Sequence, residues 1–466
     1  MKKFLAFLLL LGLAGAGGIS AWSRVQAQSW HNALVQGLSD EPDVRVHDAR
    51  YEAGWLRSRS VVAMEVAGLL GEAFRDRLTA LGREHLRSRV GFQMEHRIEH
   101  GLGPLWRWVQ SGREGSPVVA RVESGVDLDN EAQAELMAVV GRLPGLTATT
   151  DVRLSGEMES AFTVSAQTLE PRPVKDEPVR VAGRFAGLDG ELHRSADGAA
   201  LVGSLGGGGL DLRGEERLFS LGSFQISFEL TRHGADLWVG TISQDLTRLT
   251  VAPLEGERGF EVAGISWVQT THPAGASALR AELDVRVERL ALGAQVLGPG
   301  HARLAARNLA PAVLAALRRN ATAPGAPGPA PGVALPRLAS VLAGSPVLEL
   351  GAFELATPAG PVEATAHVAF DEARAALLAS PLTAASAVDG AVELRGPVAL
   401  FEALLADRPQ TLAGLEKRGI LSREGERYHA QLVLRGGSLT ANGAPVDAMG
   451  GEPHAGFLPR RRTARP

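Results

Sequence analysis

The chain has 466 residues, 45% of them hydrophobic, and a formal net charge of -4 at pH 7. That length leaves room for two or three domains or one elongated one, and the charge balance offers no basic field for nucleic acid. Cysteine is absent, which excludes disulfides, thiol nucleophiles and thiolate zinc sites together.

In chain order, the first signal is Met1 to Trp22. Lys2 and Lys3 precede an apolar run from Phe4 to Trp22, the pattern of an export signal. The run is about 19 residues long, close to the roughly 20 that a helix needs to cross a bilayer. Its length favours a retained anchor with its N-terminus in the cytoplasm. Small residues in Ile19-Ser20-Ala21 and Val25-Gln26-Ala27 keep a cleaved signal open as the alternative. Trp22 and Trp30 suit the far interface of such an anchor. Either way the bulk of the chain lies outside the cytoplasm. The expected location is the inner membrane, with everything after residues 1–28 in the periplasm. Asn32–Leu38 reads as a short helical stem, and no later stretch is apolar enough to span a membrane.

Past Gln28 the dominant pattern is period two, the mark of strands with one buried face. Val90, Phe92, Met94, His96 and Ile98 alternate with Arg89, Gln93, Glu95, Arg97 and Glu99. Phe224, Ile226, Phe228 and Leu230 alternate with polar neighbours, as do Arg280–Glu288 and Tyr428–Leu434. Such one-sided strands belong in antiparallel sheets with one wet face. Asp189-Gly190, Asp197-Gly198, Asp389-Gly390 and Asn442-Gly443 predict hairpin turns. Helical spacing is rarer. It predicts a helix over His301–Arg319, with Leu304, Ala305, Leu309, Val313, Leu314 and Leu317 in its stripe and Pro311 starting or kinking its second half. Two shorter helices are expected at Val398–Leu405, after Pro397, and at Leu412–Lys417, ending at Gly419. The fold expected is mainly β with a smaller α+β part: elongated, curved antiparallel sheets with a few covering helices. Residues 29–320 form the β-rich region, 321–332 a Pro/Ala/Gly linker, 333–449 a mixed α/β region and 450–466 a disordered tail.

Tests for chemistry come out negative. The run Gly206–Gly209 lacks the Lys, Ser/Thr and helix of a phosphate-binding loop and reads as a flexible hairpin loop. His96 and His100 are four apart, as in helical zinc sites, but on a strand that spacing separates the rings by roughly 13 Å. A third ligand such as His85 would have to come from elsewhere. No Gly-x-Ser-x-Gly or Ser-x-x-Lys motif occurs. The carboxylate pairs Glu215-Glu216 and Asp176-Glu177 sit in polar, loop-like surroundings. Catalytic, cofactor-binding and metal residues are therefore expected to be none, and no cofactor is expected.

Three stretches carry a resemblance. The first is Tyr51-Glu52-Ala53-Gly54-Trp55-Leu56-Arg57-Ser58. The second joins Ala306-Arg307-Asn308-Leu309-Ala310 to Leu338–Leu350 and then to Thr357-Pro358-Ala359-Gly360. The third is Gly419-Ile420-Leu421, Tyr428 and Gly437-Ser438-Leu439-Thr440-Ala441-Asn442-Gly443. In this order, behind an N-terminal anchor, they resemble the YdgA family, bacterial envelope proteins of uncharacterised function. That resemblance implies location and fold but supplies no catalytic residue. Turn chemistry gives Gly54 a turn or bulge and Asn442-Gly443 a type I′ turn, while Tyr51 and Trp55 are expected to pack. By architecture the expected sheet is also distantly similar to AsmA-like lipid-handling proteins, a likeness of fold alone.

The function expected is that of a non-enzymatic envelope protein whose apolar sheet face holds an acyl chain or another apolar partner. Its alternative is a scaffold or assembly factor that pairs strand edges with a second copy or another envelope protein.

Overall fold

The computed structural model describes residues 24–39 apart from 26, 33 and 37, then 44–67, 89–112, 115–128, 145–169, 181–214, 217–234, 237–253, 259–275, 278–293, 295–311, 344–371, 373–374, 385–405 and 408–446. The apolar run of residues 4–22, His85, the two carboxylate pairs, Val313, Leu314, Leu317, the linker 321–332 and the tail 450–466 lie outside the described residues. No described helix is long and apolar enough to cross a membrane.

Helical residues within 24–39 form α1. The strands then follow: β1 Val44–Glu52, β2 Arg57–Ala67, β3 Arg89–His100, β4 Val118–Leu128, β5 Leu146–Arg153, β6 Met158–Val164, β7 Gln167–Leu169, β8 Val181–Phe185 and β9 Leu188–Arg194. Next come β10 Ala200–Gly207, β11 Leu210–Gly214, β12 Arg217–Leu221, β13 Phe224–His233, β14 Leu237–Pro253, β15 Phe260–Pro273, β16 Leu279–Leu292 and β17 Gln295–Leu297. The last are β18 Gly300–Leu309, β19 Val347–Leu355, β20 Val362–Phe370, β21 Val388–Pro397, β22 Ser422–Glu424, β23 Arg427–Arg435, β24 Ser438–Ala441 and β25 Ala444–Pro445. Three further helices are α2 Leu102–Ser111, α3 Val398–Leu404 and α4 Pro409–Lys417. The protein is mainly β, as its alternation predicts. Contacts divide it into two compact units, the first holding β1–β15 and the second β18–β25.

In the first unit every pairing is antiparallel, and the ladder runs β1-β2-β3-β4-β5-β6-β9-β10-β13-β14-β15. A second panel, β7-β8-β11-β12, joins the far half of β14. The two panels are the same long strands interrupted along one crease. Its backbone stays bonded: Ala186 N–H donates to Gly209 O at 2.9 Å, and Gly222 N–H to Arg248 O at 2.7 Å. Gly209 has φ 115 and Gly264 has φ 60, conformations that a side chain would strain. The register runs unbroken through the crease: Leu246 pairs with Ile265 on one side of it and Leu249 with Val262 on the other. Gly206–Gly209 is therefore no hairpin loop: Gly206 and Gly207 end β10, and Gly208-Gly209 form the crease.

Asp189-Gly190 and Asp389-Gly390 also lie inside strands, β9 and β21, not in turns. The reason at Gly190 is space, since a Cβ there would stand 2.3 Å from the Phe162 ring and 2.6 Å from Ser204 O. Asp197-Gly198 does form the β9–β10 turn. The helix expected over His301–Arg319 is overturned for its first half, where β18 pairs with β19. The register shifts between Arg303 and Leu304 because β19 carries an extra residue there, Gly351, and the apolar residues of β18 fall at spacings that mimic a helix.

In the second unit the ladder is β18-β19-β20-β21-β23-β24-β25, with β22 beside β23. The helices α3 and α4 form where Pro397 and Pro409 start them, and they close a small core of Val398, Leu421, Tyr428 and Ala430 with Phe401, Leu412 and Leu415. Tyr428 donates its hydroxyl to Glu416 of α4. Asn442 holds φ 47 and Gly443 φ 81, as a type I′ turn requires. Its amide donates to Gly419 O at 2.8 Å and Ile420 O at 3.3 Å, while its Oδ1 accepts Gln431 N–H at 2.8 Å. Asn442→Ala loses these bonds and puts a less tolerant residue at positive φ, for an expected loss of about 2–3 kcal/mol. Hydrogen exchange of the β23 amides against urea reads this; Asn442→Gly, which keeps the turn, should lose less. Equal, wild-type midpoints for both would show that the side chain does not hold this turn.

Candidate functional site

The Tyr51–Ser58 stretch turns between β1 and β2, and its polar side chains converge beneath α1. Ser58 Oγ lies 3.0 Å from His100 Nε2 and accepts a long bond from Gly54 N–H at 3.4 Å. A Cβ on Gly54 would stand 1.9 Å from Arg57 O, so the turn closes only on glycine. Tyr51 stacks on His31 of α1, with ring centroids 5.3 Å apart. His31 Nδ1 lies 2.7 Å from Ser60 Oγ, and His96 Nδ1 lies 2.7 Å from Ser124 Oγ. Register places Ser60, His96 and Ser124 side by side on β2, β3 and β4. Ala27 of α1 completes the seam by packing with Ile98 and Val122.

His31, Ser58, Ser60, His96 and His100 are all buried. Burial pushes the His96 imidazole down to about 4, and the neighbouring His31 pushes the same way. Burial also lowers His31, and it lowers His100 with help from the positive charge of Arg24. Near neutral pH the seam is therefore uncharged. Among the described residues His96 Nε2 and His100 Nδ1 have no hydrogen-bond partner. Among the described residues no group of His, Cys, Asp and Glu could hold a metal ion.

The sequence reading places His96 and His100 apart on a strand, and each does go to its own serine. It misses His31, Ser58, Ser60 and Ser124. The available signal was Ser58 and Ser60, polar residues on the face of β2 that its alternation with Arg57 and Arg59 turns toward the core. Two aromatic expectations need correction. Trp55 does not pack but is 61% exposed. Trp30 does not sit free for a membrane interface: it meets His96 edge to face at 5.2 Å, closing the seam.

Beyond the seam, the same face of the sheet is apolar. One row of directly paired residues runs Val62, Met94, Val126, Leu146, Val164, Leu188, Gly207, Phe224, Leu246, Ile265. At ~4.8 Å per strand these ten strands carry the row about 43 Å. The neighbouring row adds Phe162, Leu205 and Ile226, and the row beyond it Leu192, Phe228 and Ile242. Helices of this unit pack only on its first strands among the described residues. From β5 onward the apolar side chains, Phe162, Leu192, Leu205, Ile226 and Phe228 among them, stay half-buried. Phenylalanines lie over glycines on this face: Phe162 over Gly190, Phe228 over Gly203 and Phe224 over Gly207, each ring within 2.5 Å of where a Cβ would be. Such pairs fill the missing side chains and level the surface.

The opposite face is polar, with Arg97, Glu123, Thr149, Glu191, Ser204, Ser227 and Ser243 opposite or beside one another. At its start an open groove of ≈ 720 Å³ is lined by Arg57, Arg59, Glu95, Arg97, Glu99 and Glu123. Its charges neutralise one another: Arg59 meets Glu95 at 3.2 Å and Arg57 meets Glu99 at 3.1 Å. Arg59 holds the Glu95 carboxyl, and Arg107 with Arg57 holds the Glu99 carboxyl, below the usual carboxylate range.

The first unit is thus a long antiparallel sheet with one apolar face, one polar face and a helix seated over the start of the apolar one. The chain itself belongs to a bacterial family whose model covers residues 1–449 and is described as "Bacterial protein of unknown function (DUF945)". No curated protein and no solved structure is significantly similar to it.

Proposed function

We propose that the chain is a non-enzymatic protein of the bacterial cell envelope, a YdgA-type member of its family, and that the apolar face of its first unit holds acyl chains. In this reading residues 4–22 tether it in the inner membrane and both units lie in the periplasm. The observation that carries the proposal is the apolar row running from Val62 to Ile265, uncovered by helix from β5 onward among the described residues. Its length of about 43 Å exceeds one leaflet, roughly half of a ~30 Å hydrocarbon core, so whole acyl chains fit against it. The charged face cannot take that role, because burying its ion pairs against hydrocarbon costs several kcal/mol per ion.

The alternative, a scaffold that adds strands from itself or another envelope protein, needs a bare sheet edge. The β1 edge carries Arg45, His47, Asp48, Arg50 and Glu52 and a bulge between Val46 and Asp48. Those are devices that discourage strand addition. The test is photo-crosslinking in cells, with benzoylphenylalanine placed at Phe228 on the apolar face and at Ser227 on the polar one. Lipid adducts at 228 and none at 227 are expected, with Ile226→Asp reducing them. Discrete protein adducts at 228 instead would favour the scaffold and overturn the lipid reading.

A further inference from the structure

One end of the first sheet carries an apolar surface that neither the seam nor the apolar face uses. In α2, Leu102, Trp106 and Val109 recur at i, i+4 and i+7 and form one stripe. They are 42%, 63% and 54% exposed. The inward side of the helix is used separately, by buried Pro104 and half-buried Leu105 and Trp108. Beside the stripe, the β1–β2 turn presents Trp55 and Leu56, also exposed. The two elements are tied together: His100 N–H donates to Leu56 O at 3.0 Å, and Glu99 pairs with both Arg57 of β2 and Arg107 of α2.

The chain also enters the unit here. Along α1, Ala27 packs by Ile98 and His31 reaches Ser60, so the helix begins near the His100 end of β3, the end from which α2 starts. Arg24 acts electrostatically on His100, and Val25 is exposed. Just before Arg24 the sequence carries the apolar run of residues 4–22. A short amphipathic helix with its apolar stripe in water, two exposed tryptophans beside it and a bilayer-length apolar segment entering at the same end fits a lipid surface.

We propose that α2 and the Trp55-Leu56 turn form a membrane-docking surface, seated at the headgroup–acyl boundary of the bilayer that residues 4–22 enter. This rests on the placement of residues 4–22 in a membrane and is independent of what the apolar sheet face holds. It turns a tether into a fixed orientation, with the start of the sheet against the bilayer. It also accounts for Trp55, a motif residue that is 61% exposed.

The absence of cysteine makes the test direct. Single variants Leu56→Cys, Leu102→Cys, Trp106→Cys, Val109→Cys and the control Gln225→Cys are made in the full chain and labelled with a nitroxide. Each is reconstituted into vesicles of phosphatidylethanolamine and phosphatidylglycerol, where collisions with oxygen report the bilayer and those with a nickel chelate report water. Positions 56, 102, 106 and 109 should show oxygen-to-nickel ratios several-fold above Gln225, with Trp106→Ser plus Val109→Ser returning position 56 toward water. Nickel access at 106 and 109 equal to that at 225 would overturn the proposal. So would shielding from both reagents, which means a protein covers the stripe, or failure of the chain to float with the vesicles. Lipid adducts at Phe228 are a separate readout, so loss of one result leaves the other standing.

Discussion

Acidification from pH 7 to pH 4 is expected to cost the first unit about 3 kcal/mol, and the loss should begin well above the carboxylate range. His96 is the main cause. Burial lowers its imidazole from the ordinary 6.5 to about 4, and each tenfold change in proton affinity is worth about 1.4 kcal/mol. The unfolded chain takes up its proton as pH falls through 6.5, while the folded chain resists until about 4. Between those values the unfolded state binds more protons, so stability is complete above 6.5, falls with pH, and is fully lost below 4. His31 and His100 shift the same way and add to the loss. Glu95 and Glu99, held low by their arginines, contribute stability that disappears only below their ordinary 4.5. Their window therefore lies beneath the histidine one. Hydrogen exchange of the β3 amides, corrected for intrinsic rates, should show the decline between pH 6.5 and 4.5. His96→Asn, which can still bond Ser124 but does not titrate, should flatten most of it. Equal β3 protection at pH 7 and 4.5 in the wild type would remove the seam from consideration as a proton-sensitive latch for α1.

What the sequence discloses follows from how local each signal is. The alternation in β3, β13, β16 and β23 reports burial of one face, a property each strand carries by itself. The short helices after Pro397 and Pro409 and the Asn442-Gly443 turn are equally local. β18 reads as a helix because what sets its register, the extra residue Gly351, lies on its partner strand β19. Asp189-Gly190 was misread because its glycine answers to Phe162, which is on another strand. The seam was invisible for the same reason. Its serine–histidine pairs span 28 to 42 residues, and only the register of β2, β3 and β4 with the seating of α1 brings them together. The continuous apolar face sits between these cases. Each strand shows which of its residues are apolar, yet only the ladder shows that those faces line up from strand to strand.

The substitution Gly54→Ala is expected to be among the most damaging single-methyl changes in the first unit, at about 3 kcal/mol or more. The added Cβ would lie 1.9 Å from Arg57 O and 3.1 Å from Arg57 C. Both are backbone atoms that no rotamer change can move aside. The turn must open, and Gly54 N–H then leaves Ser58 Oγ. Ser58 in turn positions His100, which is 1% exposed and has no partner at Nδ1 among the described residues. Losing Ser58 strips the buried ring of its hydrogen bond at Nε2, a desolvation cost of about 1–3 kcal/mol. Ser58→Ala alone should cost only that second part. Because both changes act through one turn, Gly54→Ala with Ser58→Ala should cost less than the two added together. Gly103→Ala is the control: its Cβ meets nothing within 4 Å, and an alanine in α2 should raise stability by roughly 0.5–1 kcal/mol. Urea midpoints read from β3 amide exchange separate the cases. A Gly54→Ala midpoint matching that of Gly103→Ala would mean that the turn is not built around its glycine. The family-like Tyr51–Ser58 stretch would then have some role other than shaping the seam under α1.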